Sequence, residues 1–402
     1  MAERTADPRT TVFCTVVARN YLPQALALQQ SVARHHPEAE FVVLVVDGRP
    51  ETVAPRAHCR LVGLEVLGLS RREVDELTGI YDVVELSTGV KALFLQRLLD
   101  RWDRAVYLDP DTWIVSPLDE LAELIDEHGV VLTPHILEPI PPGESFRSEI
   151  NTLTVGVHNL GFCAVGRNGI PFLEWWWSHL KHECLIYPLL GLFVDQKWTD
   201  IGAVMFDAQS LRHYGYNIGH WNLQERRFTR EGDSLVMERT GEPVRLFHFS
   251  GFDPHDPDAI SERQTISLKE TDLAFEQLSL LSHEYAEVLL ATRAELGTRS
   301  EYGFDRDSSG RHLSKRIRRT FRKDLLSGGS GSVPSPFLES DRDAFRRWRL
   351  RSLPRQATSA LADSSLAFKY AFPDTYTRIR KAAPTQFHWV RARLLAGAKI
   401  RR

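Results

Sequence analysis

The chain has 402 residues, 43% apolar and 26% charged, ample for a buried core in one large domain or two smaller ones. Its formal charge of −3 is uneven: residues 1–310 carry 28 basic and 47 acidic groups, residues 311–402 carry 22 and 6. This excludes a general nucleic-acid binder and gives the tail an anionic partner or surface of its own. The four cysteines, Cys14, Cys59, Cys163 and Cys184, form no Cys-x-x-Cys pair, which argues for a reduced cytosolic protein over a disulfide framework or zinc site.

In chain order, MAERTADPRT has no apolar core, so no signal peptide is expected. Thr11–Ala18 reads as a buried strand, Leu22, Ala25, Leu26 and Val32 as one face of a helix with Pro23 in its first turn, and Phe41–Val46 as a second buried strand. Strand, helix and strand at this spacing form a βαβ unit, hence a parallel sheet. Residues 91–102 (KALFLQRLLDRW) give another amphipathic helix, and Ala105–Leu108 a short strand running into Asp109-Pro110-Asp111. Ser116 as cap and Pro117 at the first position predict a helix that stops before Gly129, with a strand from Val130 to Leu132. Further on, Leu160–Val165 and Arg245–Phe249 read as strands and Phe172–Leu180 as a helix. Ser327–Pro336 (SGGSGSVPSP) has the composition of a flexible linker. It is preceded by a basic helix (RHLSKRIRRTFRKD) and followed by Arg-rich helices broken at Pro354, Pro373 and Pro384. The expected division is therefore a catalytic domain over 1–300, a basic segment over 301–326, the linker over 327–336 and a helical region over 337–402. Phe41–Val46 and Leu189–Val194 are the longest apolar runs, far too short to cross a bilayer.

The chemistry is concentrated at Asp109-Pro110-Asp111. Residues i and i+2 of an extended segment project to one side, and the pair follows a strand, at the sheet end where open α/β folds bind ligands. Two carboxylates this close repel, and a hard divalent cation, Mn2+ or Mg2+, relieves the repulsion. Such a cation bridges to diphosphate oxygens and stabilises a departing nucleotide. Against this stands a solvated Asp-Pro-Asp turn.

The run YLDPDTWIVSPL resembles the Asp-x-Asp region of nucleotide-sugar glycosyltransferases of the GT-A fold, and five further segments are similar, in order, to glycosyltransferase family 8. The resemblance covers about residues 10–260. It implies a Rossmann-like, mixed but mainly parallel sheet flanked by helices, here with a basic helical C-terminal extension. FCTVVARNYLPQALALQQSV resembles the first strand and helix, implying that Val16, Val17, Ala18, Asn20 and Tyr21 line the nucleobase and ribose pocket. KALFLQRLL resembles the helix whose basic residue approaches metal and diphosphate; Arg97 fits best and Lys91 is the second candidate. NLGFCAV implies Asn159 and Gly161 beside the donor sugar, and VDQKWTD places Asp195 and Gln196 at the anomeric carbon. HFSG resembles the start of a His-x-x-Gly-x-x-Lys element, which implies His248 on the cation with Asp109 and Asp111, and Gly251 at the donor. Two departures stand out: Arg19 occupies the place of an acid after the first strand, and no Lys follows Gly251. YNIGHWNL and FHFSGFDP also resemble bacterial cell-surface polysaccharide transferases.

The expectation is thus a metal-dependent hexosyltransferase moving sugar from a nucleotide-sugar, a UDP-sugar first, to a saccharide or lipid-linked acceptor. Retention is implied, and front-face departure is favoured over a covalent intermediate on Asp195. Its place is cytoplasmic, peripheral at the inner membrane face if the basic tail meets anionic lipid. Residues 134–158 and 182–226 are the expected acceptor loops. Trp175-Trp176-Trp177, Trp198 and Trp221 are either core or an acceptor platform, with core favoured. His35-His36 reads as a surface helix end, Asp253 and Asp256 as turn residues, and Lys91 equally as a solvated helix residue. A sugar-nucleotide pyrophosphorylase would show a Gly-rich, Arg-containing loop where ARNYLPQ stands, and an inactive carbohydrate-binding scaffold need not keep all three metal ligands.

Overall fold

The computed structural model describes residues 11–48, 53–140, 146–263, 274–297 and 301–382. The N-terminal decapeptide and Pro384 fall outside them. The described residues form two compact units: Met1–Gly68, Ser87–Cys184 and Phe193–Tyr302 make the first; Leu69–Leu86, Leu185–Leu192 and Gly303–Arg402 make the second.

The first unit is built on a seven-stranded sheet: β1 (Thr11–Val17), β2 (Glu40–Val45), β3 (Cys59–Val62), β4 (Arg104–Leu108), β6 (Val130–Pro134), β7 (His158–Gly166) and β8 (Gln209–Ser210). Their order is β8-β6-β7-β4-β1-β2-β3, and β7 is the antiparallel member. β1, β2 and β4 bury nearly every residue, which is why they read as continuous apolar runs rather than alternating ones. α1 (Leu22–His35) carries Leu22, Leu26 and Val32 onto one sheet face, where they meet Phe13, Phe41, Val43, Val106 and Phe162. The sheet is mixed and mainly parallel with flanking helices, as expected.

A second apolar cluster supports the far side of the Asp-Pro-Asp turn. There β5 (Thr112–Ile114) pairs antiparallel with β11 (Leu246–His248), beside the hairpin of β9 (Phe228–Glu231) and β10 (Ser234–Met237). Trp113, Phe247 and Phe249 pack on Tyr285 of α8 (Ala274–Leu296). Phe249 stacks on Tyr285 with ring centres 4.2 Å apart. Alternation along β11 sends Phe247 and Phe249 into this core and His248 to the opposite side.

Other helices of this unit are α3 (Lys91–Leu99), α4 (Leu121–His128), α5 (Phe146–Val155), α6 (Ile170–Glu183) and α7 (Gln196–Met205). α4 starts five residues after Ser116; the Ser116 side chain is turned instead to the segment before β11, its hydroxyl donating to the Val244 carbonyl at 2.7 Å.

The second unit is helical. α2 (Arg71–Ile80) begins with a Ser70–Glu73 capping box and packs on α9 (Lys315–Gly328), with Gly79 against the Phe321 ring. α10 (Arg342–Arg351), α11 (Leu353–Ala371) and α12 (Pro373–Ala382) follow, with Pro354 and Pro373 in first turns, where a missing amide is harmless. The compact units cut across the expected sequential division: residues 69–86 and 185–192 group with the C-terminal helices. The Ser327–Pro336 segment is not a free linker. Ser330 Oγ and Gly331 N donate to Glu76 at 2.6 and 2.9 Å, and Ser335 Oγ donates to Asp75 at 2.9 Å. Small residues let this stretch lie close along α2. No described helix is long and apolar enough to cross a membrane.

Candidate active site

β4 delivers Asp109 to the C-terminal edge of the sheet, and the chain turns at once. Asp109 N donates to Gly161 O at 2.8 Å, Thr112 Oγ1 donates to Asp109 O at 2.8 Å, and Tyr107 OH donates to Asp109 Oδ1 at 2.7 Å. Thr112 is the register partner of His248, so the ladder itself sets the imidazole beside the acids. His248 Nε2 lies 3.1 Å from Asp111 Oδ1 and 3.9 Å from Asp109 Oδ2.

A ring of polar contacts aims the imidazole. His248 Nδ1 is 3.0 Å from Asn217 Oδ1; an amide oxygen only accepts, so Nδ1 carries the proton and Nε2 is the atom turned to the carboxylates. Asn217 in turn donates to Thr133 Oγ1 at 2.7 Å and Asn159 Oδ1 at 3.1 Å, from a fully buried position with φ 53°. Asn tolerates that left-handed backbone better than most residues. Gly161 is needed for a different reason: a Cβ there would stand 2.3 Å from His248 Cε1.

The three ligand atoms lie within 4.8 Å of one another. Metal–ligand bonds of about 2.1 Å place neighbouring ligand atoms about 3 Å apart, so the set fits a hard divalent cation after small rotations. Burial pulls the His248 imidazole toward neutrality, but Asp111 and then Asp109 more than offset it and raise its pKa. Burial likewise raises the Asp111 carboxyl, yet His248 wins and lowers it. A divalent cation would take the place of that imidazolium proton.

Behind this set lies a buried chain of charge. Lys91, 1% exposed, reaches Asp195 Oδ2 at 2.6 Å and Asp109 Oδ1 at 4.0 Å, donates to Leu160 O at 2.9 Å, and sits 4.0 Å above the Tyr107 ring. Burial disfavours its charge, but Asp195 and Asp109 hold its pKa above the usual lysine value. The solvated-helix reading of Lys91 is thereby corrected. Arg97, the preferred basic residue, is elsewhere: its Nε donates to Leu67 O at 3.0 Å and its Nη1 is 3.7 Å from Asp100. Six residues along a helix put the two positions about 9 Å apart along the axis and about 120° apart around it, and Lys91 is the one that faces the acids. Asp195 is 2% exposed, and Gln196 Nε2 donates to Val155 O at 2.9 Å. A carboxylate closed in this way fits a positioning residue better than a nucleophile.

Of the expected nucleotide pocket, Val16, Val17 and Ala18 are buried at the end of β1, and Tyr21 is exposed. Asn20 Oδ1 meets no donor among the described residues. Arg19, in place of an acid, donates its amide to Asp47 Oδ1 at 2.8 Å, with Nε 3.7 Å from the same carboxylate. Gly251 has φ +73°, and a Cβ there would press on Ser261 and Arg263. Arg263 bonds Ser250 Oγ at 3.0 Å, and its charge acts on both Asp111 and His248. Asn217 and Arg263 were not singled out by sequence; only the YNIGHWNL string, which contains Asn217, pointed that way.

The aromatic residues divide. Trp176 is core, its Nε1 donating to Asp195 O at 3.1 Å, and Trp198 stacks on His179. Trp221 places its ring 5.1 Å from His248, edge to face. His36 is structural, its Nε2 accepting from Leu118 N at 3.0 Å, and Asp253 caps its own turn through His255 N.

No family model matches the chain. Over 250 residues, 60% of this chain and 82% of the other, it is 27% identical to the uncharacterized protein YfnF of Bacillus subtilis (strain 168). Among solved structures it is similar to the galactosyltransferase LgtC in complex with donor and acceptor sugar analogs, at 16% identity and TM-score 0.40, over 70% of this chain and 95% of that one. It is also similar to the bifunctional glycosyltransferase WbbM (13%, TM-score 0.39, covering 72% and 52%) and to mouse xyloside xylosyltransferase 1 (14%, TM-score 0.36, covering 60% and 97%). With identities and scores this low, the site has to be read from its own residues.

Proposed function

We propose that the chain transfers a hexose from a nucleotide-sugar, a UDP-sugar in the first instance, to a saccharide or lipid-linked acceptor in cell-surface glycan synthesis. The observation that carries this reading is the meeting of Asp109, Asp111 and His248 at the C-terminal edge of a mainly parallel sheet, where such folds take nucleotides. Those three residues would hold Mn2+ or Mg2+, which when bound neutralises charge on a leaving diphosphate.

The chain's own groups do the rest. Asn217 and Gly161 orient the imidazole; Tyr107 and Lys91 fix Asp109; Asp195, locked to Lys91, shapes the wall beside the sugar. Arg263 lends positive charge at the rim, the role for which no Lys follows Gly251. Val16, Val17, Ala18, Asn20 and Tyr21 border the nucleoside. With Asp195 enclosed, departure and attack on one face of the sugar, with retention, is the favoured course: the phosphate oxygen that leaves accepts the proton of the incoming hydroxyl. The basic tail would hold the enzyme at the inner membrane face. Incubating the protein with a panel of nucleotide sugars, with and without Mn2+, tests the reading. Slow cation-dependent hydrolysis, lowered at least about a thousandfold by Asp111→Ala, is expected; turnover indifferent to both cation and Asp111 would overturn it.

A further inference from the structure

The membrane attachment just named narrows to one helix face in the second unit. α11 turns Gln356 inward, buried, and binds Asp363 to Tyr187. Its other side is apolar and open: Leu353 is 55%, Leu361 64% and Phe368 37% exposed, and Phe372 just beyond is 56% exposed. At 3.6 residues per turn these four, with Ala357, fall within an arc of about 100°. Phe368 and Phe372 already associate, ring centres 5.4 Å apart. Arg355 and Lys369, fourteen positions apart and both exposed, lie along the adjoining flank, Arg355 also holding Asp324 at 2.8 Å, and Arg351, Arg378 and Lys381 are further exposed cations nearby in sequence. Residues 353–382 carry five basic and two acidic side chains, and one of those acids is Asp363, already engaged.

We propose that this face of α11, continued by Phe372, docks on an anionic phospholipid bilayer, lying in the interface with Leu353, Leu361 and Phe368 among the acyl chains and Arg355 and Lys369 at the headgroups. A flat apolar stripe with a cationic flank is the pattern of a helix that lies on a membrane, not one that spans it. The charge decides the occupant: a second copy of this chain would bring the same surplus of cations against these, whereas an anionic surface complements Lys369 and can share Arg355 with Asp324.

The test uses the full-length protein and co-sedimentation with vesicles of phosphatidylcholine alone or with added phosphatidylglycerol. Binding should need the anionic lipid, fall with salt, weaken about fivefold for each of Arg355→Gln and Lys369→Gln, and drop by tenfold or more in Leu361→Asp/Phe368→Asp. These positions are exposed, so an unchanged thermal melt and unchanged hydrolysis of nucleotide sugar in solution certify the fold. Absent binding to anionic vesicles, or binding that the double variant leaves intact, overturns the proposal. So does a doubled mass by light scattering that the same variant abolishes, which would assign the face to self-association. Because the readout is vesicle binding, the transferase reading can fail without touching this one, and the reverse.

Discussion

Lys91 in the sheet unit and Arg318 in the second unit are equally hidden, and they are used differently. Arg318 in α9 sends its guanidinium to the carbonyls of Thr78, Tyr81, Leu313 and Phe304 at 2.5–3.1 Å. It closes the C-terminal end of α2, where a cation meets the negative end of the helix dipole. Lys91 in the sheet unit is held between two carboxylates, one enclosed and one at the open site. A buried cation answered by carbonyls fixes architecture. One answered by acids links the architecture to whatever those acids bind.

The largest expected effects come from removing each cation. Lys91→Met leaves Asp195 as an enclosed, unanswered charge and should cost about 3–5 kcal/mol in chemical denaturation. Arg318→Met should cost a similar amount by orphaning carbonyls. The comparison is sharpened by cation affinity, measured by calorimetry on protein that is still folded. It should change in Lys91→Met and stay constant in Arg318→Met; equal behaviour would erase the distinction.

Acid should separate the units next. Burial pushes His135 and His158, both in the sheet unit, down to about 4 from an ordinary 6.5. As pH falls the unfolded chain takes up these protons first, so the stabilisation is complete above about 6.5 and is lost between there and about 4, roughly 3 kcal/mol for each group. Hydrogen exchange should show protection in 130–134 and 158–166 falling through that window ahead of 315–328. Loss of both together would mean that the units unfold as one.

Smaller still is Gly161→Ala. The added Cβ displaces the His248 ring, and cation affinity should weaken about 10- to 100-fold with the second unit's melting unchanged. Smallest is Arg97→Gln, expected to alter turnover less than about twofold, since that side chain serves Leu67 and Asp100; a large loss would return it to the donor site.

The sheet and the acid pair were legible because each rests on local pattern: continuous apolar runs for β1, β2 and β4, and an i, i+2 pair at a strand tip. His248 was reachable through resemblance, and its alternation with Phe247 and Phe249 agrees. The Lys91–Asp195 pair was not legible, since nothing in the spacing of residues 104 positions apart says which of the helix's basic residues, Lys91 or Arg97, turns inward. Ser116 had the right chemistry for a cap, but its side chain turns to the Val244 carbonyl, a contact no local signal announces. The Gly/Ser stretch misled for a related reason: composition records the freedom of a chain, whereas Glu76 and Asp75 decide whether it is kept.

The pairing of Thr112 with His248 has a consequence for how the chain can vary. Between those two short strands lies most of the polypeptide that could shape an acceptor pocket, and lengthening it need not shift the imidazole at all. Adding one residue inside Leu246–His248 would instead rotate the ring to the hydrophobic side and bring a phenylalanine to the acids. The ladder works as a gauge: the intervening chain can change in length while His248 stays in register with the acids.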